Sequence, residues 1–161
     1  MADSPGLVAA KRYWPMCKLA EADQGVPAII LLALMARETW YGLNCNPPGP
    51  AGTGDFGHGH GLMQIDDRSH GVWLQNNDWT DPQTNISCGA AVLREAHDFF
   101  RNRGLVGQEL WDAALAAYNA GVAGVVKALE AGHCPDSVTT GHDYGHWVTE
   151  HAKHLETLGF N

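Results

Sequence analysis

The feature that most constrains the fold is a run of ten apolar residues, PAIILLALMA, at positions 27–36. Pro27 suits the first turn of a helix because it has no N–H to donate, and Gly42 suits the end of that helix after about Tyr41. The run is apolar on nearly every side of a helix, and it is too short to span a bilayer. It therefore predicts a helix in the middle of a fold rather than on its surface.

Helical patterns dominate the rest of the chain. Asp81 and Pro82 are typical of an N-cap and of the first helical position. Glycine, proline and asparagine are dense at positions 43–61, which indicates a long loop, and LMQI at 62–65 indicates a strand in a small hairpin. Further helices are predicted at 7–22 (disturbed at Pro15), 82–103, 109–119, 123–131 and 143–158. We therefore expect one mainly α domain, residues 1–161, with a small β-hairpin.

Glu38 is the first candidate for chemistry. It lies near the end of the apolar helix and just before the long loop, with only Arg37 between it and the apolar run. Burial disfavours the charged form of a carboxyl group, so its pKa should rise and it could serve as a general acid near neutral pH. A glutamate that simply pairs with Arg37 or with a neighbouring surface is the alternative, and position alone leaves both open.

Three aspartates follow in the stretch DFGHGHGLMQIDDRSH, which begins at Asp55 and also contains Asp66 and Asp67. A pair of carboxyl groups suits the hydrolysis of glycosidic bonds, because one protonates the leaving oxygen while the other activates water or supports the cationic transition state. The intervening glycines allow sharp turns and a close approach of a bulky polymer to the backbone. Loop aspartates are common, so this pattern alone is weak evidence.

The histidines raise the alternative of a metal site. His58 and His60 could supply two zinc ligands, and His151 and His154 could add others. However, the helical order H-E-x-x-H of zinc peptidases is absent, since the order here is E-H-x-x-H. We expect no metal and no cofactor, with His146, His151 and His154 in solvent or capping a neighbour. A nucleotide-binding loop is also disfavoured, because GHGHG lacks its lysine and its spacing.

The net charge bears on which partners the protein can have, and the cysteines bear on whether it forms disulfides. The net charge of −8 disfavours nucleic acid and anionic membranes as partners, and no segment predicts membrane insertion. The N-terminus, MADSPGLVAAKRYWP, has no basic start followed by an apolar core, so we expect no secretory signal. The four cysteines contain no C-x-x-C pair, and they form either two disulfides or buried free thiols: Cys17, Cys45, Cys88 and Cys134.

Four motifs in order, ARETWYG, GHGHGLMQIDDRSH, AALAAYNAG and TTGHDYGHWV, resemble the goose-type lysozymes and, more broadly, the soluble lytic transglycosylases. The resemblance runs from about residue 27 to about residue 159. It implies a lysozyme-like helical domain whose small β-hairpin lines a cleft for a glycan chain. It also implies an enzyme that cleaves the peptidoglycan of bacterial cell walls.

The same resemblance assigns roles to residues of this chain. Glu38 takes the position of the general acid, and Asp55 and Asp66 match two aspartates thought to hold the attacking water. Because transglycosylases generally lack that pair, hydrolysis with inversion is favoured. Six residues are expected to contact the sugar or line the cleft: Gln64, Met63, His70, Tyr118, Asn119 and Tyr144. Of these, Tyr118 and Asn119 lie across the cleft from the acid, and Tyr144 helps to orient it. Leu62 and Ile65 are expected to be only core.

The resemblance implies peptidoglycan glycan strands as the partner of a monomeric muramidase. Many secreted lysozymes are basic, and the charge of −8 together with the N-terminus suits direct delivery to the target wall by a phage or by a type VI secretion system. A toxin of that kind would need a cognate immunity protein. The alternatives are a lytic transglycosylase, a chitinase, a zinc-dependent amidase or peptidase using His58 and His60, and a non-catalytic glycan-binding module.

Overall fold

The computed structural model describes residues 3–161, and within them it has seven α-helices and one small sheet. The helices are α1 (Pro5–Gln24), α2 (Ala28–Thr39), α3 (Asp67–Asn76), α4 (Pro82–Asn102), α5 (Gly107–Ala120), α6 (Val122–Glu130) and α7 (Tyr144–Thr157). The strands are β1 (Thr53–Gly54), β2 (Gly59–His60) and β3 (Ile65–Asp66). Short 3-10 helices lie at Asp55–Gly57, Pro135–Val138 and Thr140–His142. The prediction of a mainly α fold with a minor β element is confirmed.

Helix α2 is the central element, as its apolar run predicts. Five consecutive residues, positions 31–35, are fully buried. The helix packs between α1 and α7, so its sides face protein in several directions. Each fully buried leucine of this run contributes roughly 1.5–3 kcal/mol relative to an exposed one. No helix within residues 3–161 combines the length and the apolar character needed to cross a membrane.

The remaining long helices begin and end close to the predicted positions, and they pack against α1, α7 and one another. Helix α4 packs against α1 and α5, and α5 packs against α6 and α7. Asp81 caps α4 as expected, since its carboxylate accepts a hydrogen bond of 2.8 Å from the backbone N–H of Thr84. Helix α1 continues through Pro15 and ends at Gly25, which adopts a left-handed φ of 71°. The disturbance predicted at Pro15 therefore does not interrupt the helix.

The end of α2 differs from the prediction. The helix ends at Thr39 rather than near Tyr41, because Trp40 and Tyr41 both have left-handed backbone with φ of 49° and 60°. The Thr39 side chain is buried and makes three hydrogen bonds, to the carbonyls of Met35 and Leu62 and from the N–H of Gly42. This side chain replaces the backbone bonds that a longer helix would have made, and it fixes the turn that follows Glu38.

Helix α3 was missed by the sequence analysis. None of its ten residues is fully buried, and only the adjacent Trp73 and Leu74 pack partly against the core, so the helix leaves no clear 3.6-residue apolar pattern in the sequence. It begins where Asp66 accepts a hydrogen bond of 2.8 Å from the N–H of Arg68. The side chain that was predicted to act on water is therefore also the N-cap of this helix.

The β element is a three-stranded antiparallel sheet in the order β1-β2-β3, rather than a simple hairpin. Thr53 pairs with His60, and Gly59 pairs with Asp66. Of the predicted strand LMQI, only Ile65 lies in a strand, because Gln64 has a left-handed φ of 49° that breaks the extended run. The sheet carries Asp55 and Asp66 at two of its strand ends and so positions them on one side of the cleft.

Candidate active site

A cavity of about 470 Å³ lies where α2, the sheet, α5 and the start of α7 meet. Seven of the nine residues predicted for the site line it, and four further residues join them. The predicted residues are Glu38, Asp55, Gln64, Asp66, Tyr118, Asn119 and Tyr144, and the others are Arg37, Gly59, Arg68 and Thr140. An adjoining cavity of about 690 Å³ shares Gln64, Asp66, Tyr118 and Asn119, and extends between α3, α4 and the α5–α6 turn. The cleft is therefore longer than one sugar ring.

Glu38 is partly buried in the last turn of α2. Burial raises the pKa of its carboxyl group from 4.5 to about 7, although a hydrogen bond from Tyr144 and the charge of Arg37 act in the opposite direction. Desolvation wins because few polar groups replace the water lost from the carboxylate. A glutamate with this pKa is substantially protonated at neutral pH and has the property required of a general acid.

Tyr144 is the direct partner of this acid. Its hydroxyl donates a hydrogen bond to Glu38 Oε1, and burial together with the nearby carboxylate raises the pKa of the phenol well above its usual value. The start of α7, and thus Tyr144, is fixed by buried Asp136, whose carboxylate accepts bonds from the N–H groups of Gly145 (2.8 Å) and His146 (3.0 Å). These N–H groups belong to the first turn of α7, which has no partners of its own for them.

Arg37 does not simply neutralise Glu38, which was the alternative reading of that glutamate. Its Nη2 donates to Asp143 Oδ1 at 2.6 Å and to the carbonyl of Thr140 at 3.3 Å. Its guanidinium group also lies over the rings of Tyr144 and Trp147, at 5.4 Å from each centroid. Arg37 thus ties the end of α2 to the start of α7 and leaves the carboxyl group of Glu38 to face the cavity.

Tyr118 and Asn119, at the end of α5, form the wall of the cavity that lies opposite Glu38. The hydroxyl of Tyr118 donates to the carbonyl of Met63 at 2.7 Å, and Asn119 Oδ1 accepts from the N–H of Thr140 at 2.9 Å. These two bonds join α5 to the β2–β3 turn and to the segment before α7. The wall is therefore held from both sides, and the Asn119 amide nitrogen is left to the cleft.

Asp55 and Asp66 are bridged by one guanidinium group. Arg68 Nη2 lies 2.5 Å from Asp55 Oδ2, and Arg68 Nε and Nη2 lie 2.9 Å and 3.0 Å from the two oxygens of Asp66. These hydrogen bonds, together with the charge of Arg68, hold the pKa of Asp66 below its usual value. The cavity thus combines a carboxyl group that keeps its proton up to about pH 7 with a carboxylate that is ionised there.

Gln64 explains two of the glycines in the opening motif. Its side chain donates to the carbonyl of Gly61 at 2.9 Å. A Cβ atom at Gly54 or Gly59 would lie 2.3 Å or 2.2 Å from Gln64 Oε1, which is closer than atoms can approach. These glycines therefore make room for the glutamine as well as allowing the turn.

Two predicted contacts lie outside the main cavity. His70 lines the adjoining cavity on α3, where its backbone departs from helical geometry (φ −123°, ψ 23°). The prediction that Met63 contacts the sugar is wrong, because its side chain is fully buried against Gly89 of α4. Only its backbone carbonyl takes part in the site, as the acceptor of the Tyr118 hydrogen bond. Leu62 and Ile65 are buried core residues, as predicted.

The comparison with known proteins is in line with this architecture. Residues 16–133 match the family model described as Transglycosylase SLT domain. The chain belongs to this family. It is also 28% identical over 158 residues to "Lysozyme g" of Casuarius casuarius, an alignment that covers 96% of this chain and 78% of that protein.

Membership of the SLT family supports the lysozyme-like fold and a coarse activity. The chain is a lysozyme-like enzyme that cleaves glycosidic bonds, and peptidoglycan is the substrate that the family and the goose-type relative support. The family alone does not distinguish hydrolysis from transglycosylation. That distinction depends on what lies opposite Glu38 in the cleft.

Two of the histidines suggested as zinc ligands, His58 and His60, pair with a carboxylate instead, and a third, His151, shares a hydrogen bond of 3.0 Å with the hydroxyl of Tyr41. His58 Nδ1 lies 2.9 Å from one oxygen of Asp67, and His60 Nε2 lies 3.5 Å from the other. His60 also packs edge-on against Trp79. In the part of the chain that the structure describes, no group of three or more histidine, cysteine, aspartate or glutamate residues is arranged to hold a metal ion.

The sequence left two alternatives for the four cysteines, two disulfides or free thiols. In the structure all four are free thiols. Cys17 and Cys45 are buried, Cys88 is half-buried and Cys134 is exposed. Burial raises the pKa of the Cys88 thiol to about 12, which keeps it protonated and slow to react.

Arg68, Thr140 and Asp136 are functional neighbours that the sequence analysis missed, and Arg37 entered it only as a partner of Glu38. Arg68 directly follows two aspartates, but its bridge to Asp55 depends on the meeting of α3 with the β1–β2 turn, which leaves no signal in the sequence. Asp136 precedes a helix by several residues and so does not look like a cap in the sequence. Its contacts depend on the turn that folds back onto α7.

Proposed function

We propose that the protein is a muramidase that hydrolyses the β-1,4 bond between N-acetylmuramic acid and N-acetylglucosamine with inversion. One observation carries the proposal: Glu38, with a raised pKa, lines the same cavity as Asp55 and Asp66, which are bridged by Arg68. An inverting glycosidase needs a proton donor and a carboxylate-held water on opposite faces of the sugar.

Each group has a defined part in the reaction. Glu38 donates its proton to the glycosidic oxygen as the bond to the anomeric carbon breaks, and the sugar gains positive charge. Asp55 and Asp66 accept hydrogen bonds from a water molecule that attacks the opposite face of that carbon, and one of the two carboxylates takes the proton that this water loses as the new C–O bond forms. Tyr144 donates to the Glu38 carboxylate after the transfer and stabilises it.

The length of the cleft suits a polymer. Gln64 and Asn119 face both cavities, and His70 faces the second, so amide and imidazole groups are available to the hydroxyl and N-acetyl groups of successive sugars. Apolar side chains such as Phe99 and Val122 line the same second cavity and can pack against sugar faces. No cofactor takes part in this scheme.

Digestion of purified peptidoglycan tests the proposal. Released muropeptides are separated and weighed by mass spectrometry, with a chelator in a parallel reaction. Reducing N-acetylmuramic acid ends, unaffected by the chelator, are expected. Cleavage only at amide bonds, or loss of cleavage with the chelator, would replace this proposal with a zinc amidase or peptidase.

A lytic transglycosylase is the second candidate, and the name of the matching family favours it. In that reaction the muramic acid hydroxyl replaces water, so the products carry 1,6-anhydro ends and are lighter than the hydrolysis products by one water. The Asp55 and Asp66 pair argues for water as the nucleophile. The same mass spectra distinguish the two reactions.

We further propose that this enzyme is an antibacterial one, delivered directly to the wall of a target bacterium. The net charge of −8 would weaken electrostatic attraction to an anionic wall, so delivery by a phage particle or a type VI secretion system suits it better than diffusion. A type VI effector would be matched by an immunity protein in the producing cell. Expression directed to the periplasm should be toxic and should be rescued by the product of a neighbouring gene, whereas harmless expression there would contradict the effector role.

A further inference from the structure

Arg68 makes the most concentrated set of charged contacts at the cleft. It lies in the first turn of α3 and reaches both Asp66, the cap of that helix, and Asp55, at the β1–β2 turn. We propose that Arg68 is a positioning residue, which holds the two aspartates together as a preformed site for the attacking water. This inference rests on the proposed hydrolytic function.

Without a cation between them, two carboxylates on one cavity wall repel each other. Repulsion is relieved either by separation of the side chains or by uptake of a proton, and each would spoil a water site that needs two acceptors. The fork of a guanidinium group matches two carboxylates at once, which an ammonium group cannot do with the same geometry. Arg68 uses that fork on Asp66 and extends Nη2 to Asp55.

The backbone at Asp55 gives a second reason. Asp55 and Phe56 both have left-handed φ angles, of 47° and 55°, and Phe56 is fully exposed and packs against nothing. Such a conformation is strained for a residue other than glycine and persists only where surrounding contacts impose it. The bond from Arg68 is a contact that keeps the Asp55 carboxylate turned toward Asp66.

Few other charged groups lie near Asp55 and Asp66, and most of these are already paired with each other. The charge of His58 also lowers the pKa of Asp66, more weakly than Arg68 does. Asp67, the next residue, is paired with His58, which directly precedes β2, and with His60 on β2. Across the cavity lie Glu38 and Arg37, and Arg37 is itself paired with Asp143.

The test compares three variants: Arg68→Gln, Arg68→Lys and, as a matched control, Arg101→Gln. Arg101 is similarly exposed, pairs with Asp98 on α4, and lines neither cavity of the cleft. For each variant, kcat and KM on peptidoglycan are measured against pH. In parallel, carboxyl NMR records the titration of Asp66, a readout that does not depend on activity.

Arg68→Gln should lower kcat roughly 10- to 100-fold with little change in KM, because the water loses its orientation. The acidic limb of its pH profile should move to higher pH, the NMR titration of Asp66 should move with it, and Arg68→Lys should recover part of both. Arg101→Gln should match the wild type. An unchanged acidic limb and an unchanged Asp66 titration in Arg68→Gln would overturn the proposal; if that variant does not fold, Arg68→Lys decides, since an unaltered profile there has the same meaning. If the wild type yields only anhydro ends, the hydrolytic function fails, while the NMR arm still decides whether Arg68 organises the pair.

Discussion

The hydroxyl of Tyr144 donates a hydrogen bond to the carboxyl group of Glu38 across a separation of 106 residues in the chain. The bond joins the first residue of α7 to the last turn of α2. It favours the ionised form of Glu38, whereas burial favours the neutral form, and burial prevails. The pKa of about 7 is therefore a balance between burial, which raises it, and the Tyr144 hydrogen bond and the charge of Arg37, which lower it.

Tyr144→Phe tests one side of this balance. Loss of the donated hydrogen bond removes a stabiliser of the Glu38 carboxylate, so the pKa of Glu38 should rise further and the basic limb of the pH profile should move to higher pH. We expect kcat to fall roughly tenfold, since the acid is less well oriented. Tyr118→Phe is the matched control, because its hydroxyl donates to the Met63 carbonyl and not to Glu38. An equal shift in both variants would contradict a specific role for Tyr144.

Burial of Glu38 has a cost in stability that depends on pH. Because its pKa is 4.5 when unfolded and about 7 when folded, the folded state binds the proton more tightly. The free energy of unfolding should therefore fall as pH rises from 4.5 to about 7, by about 3 kcal/mol. Glu38→Gln lacks this fall and should be more stable than wild type above pH 7, with little difference below pH 4.5. Urea denaturation below pH 4.5 and above pH 7 measures the free energy of unfolding of both proteins. The same pH dependence in the two proteins would contradict the prediction.

Asp66 has two roles that substitution can separate. Asp66→Asn keeps an N-cap for α3 but changes the pair with Arg68, whereas Asp66→Ala removes both. Both variants should lose activity. Only the alanine variant should also lose about 1 kcal/mol of its free energy of unfolding, the usual contribution of an N-cap. Asp55→Asn should lose activity with little loss of stability, since Asp55 is exposed. Kinetics and urea denaturation are compared for the three variants.

The free thiols give a simple chemical check on the cysteines. In the native protein the exposed Cys134 should react quickly with a thiol reagent, the half-buried Cys88 slowly, and the buried Cys17 and Cys45 not at all. In denaturant all four should react. Fewer than four reactive thiols after denaturation without a reductant would indicate a disulfide and contradict the structure.

Much of the helical framework could be predicted because its signals are local. Each of these signals lies within a few residues of the helix or helix end that it determines. Examples are the apolar run of α2, the Asp81-Pro82 start of α4 and the glycines after α1 and α4. Helix α3 gave no such signal, because it buries no residue. The end of α2 was placed too late, because its true end depends on the buried hydroxyl of Thr39 bonding to Leu62, a contact between distant segments.

The site could be predicted in part, and most of it only with the help of the resemblance. Position made Glu38 a candidate without deciding between a general acid and a simple ion pair, and burial raises its pKa as expected. The resemblance brought in Tyr144 and Asn119, which line the cavity, but it also brought in Met63, whose side chain turns into the core. The bridge by Arg68 was missed, because the meeting of α3 with the β1–β2 turn cannot be seen in the sequence.

The most direct test of the account is the pH dependence of kcat/KM on soluble peptidoglycan fragments, for wild type and for Glu38→Gln. The account predicts that wild-type kcat/KM falls above about pH 7, where Glu38 loses its proton, and that the folded Glu38→Gln variant shows no turnover at any pH. Activity that stays level well above pH 7, or turnover by the variant, would show that Glu38 is not the proton donor.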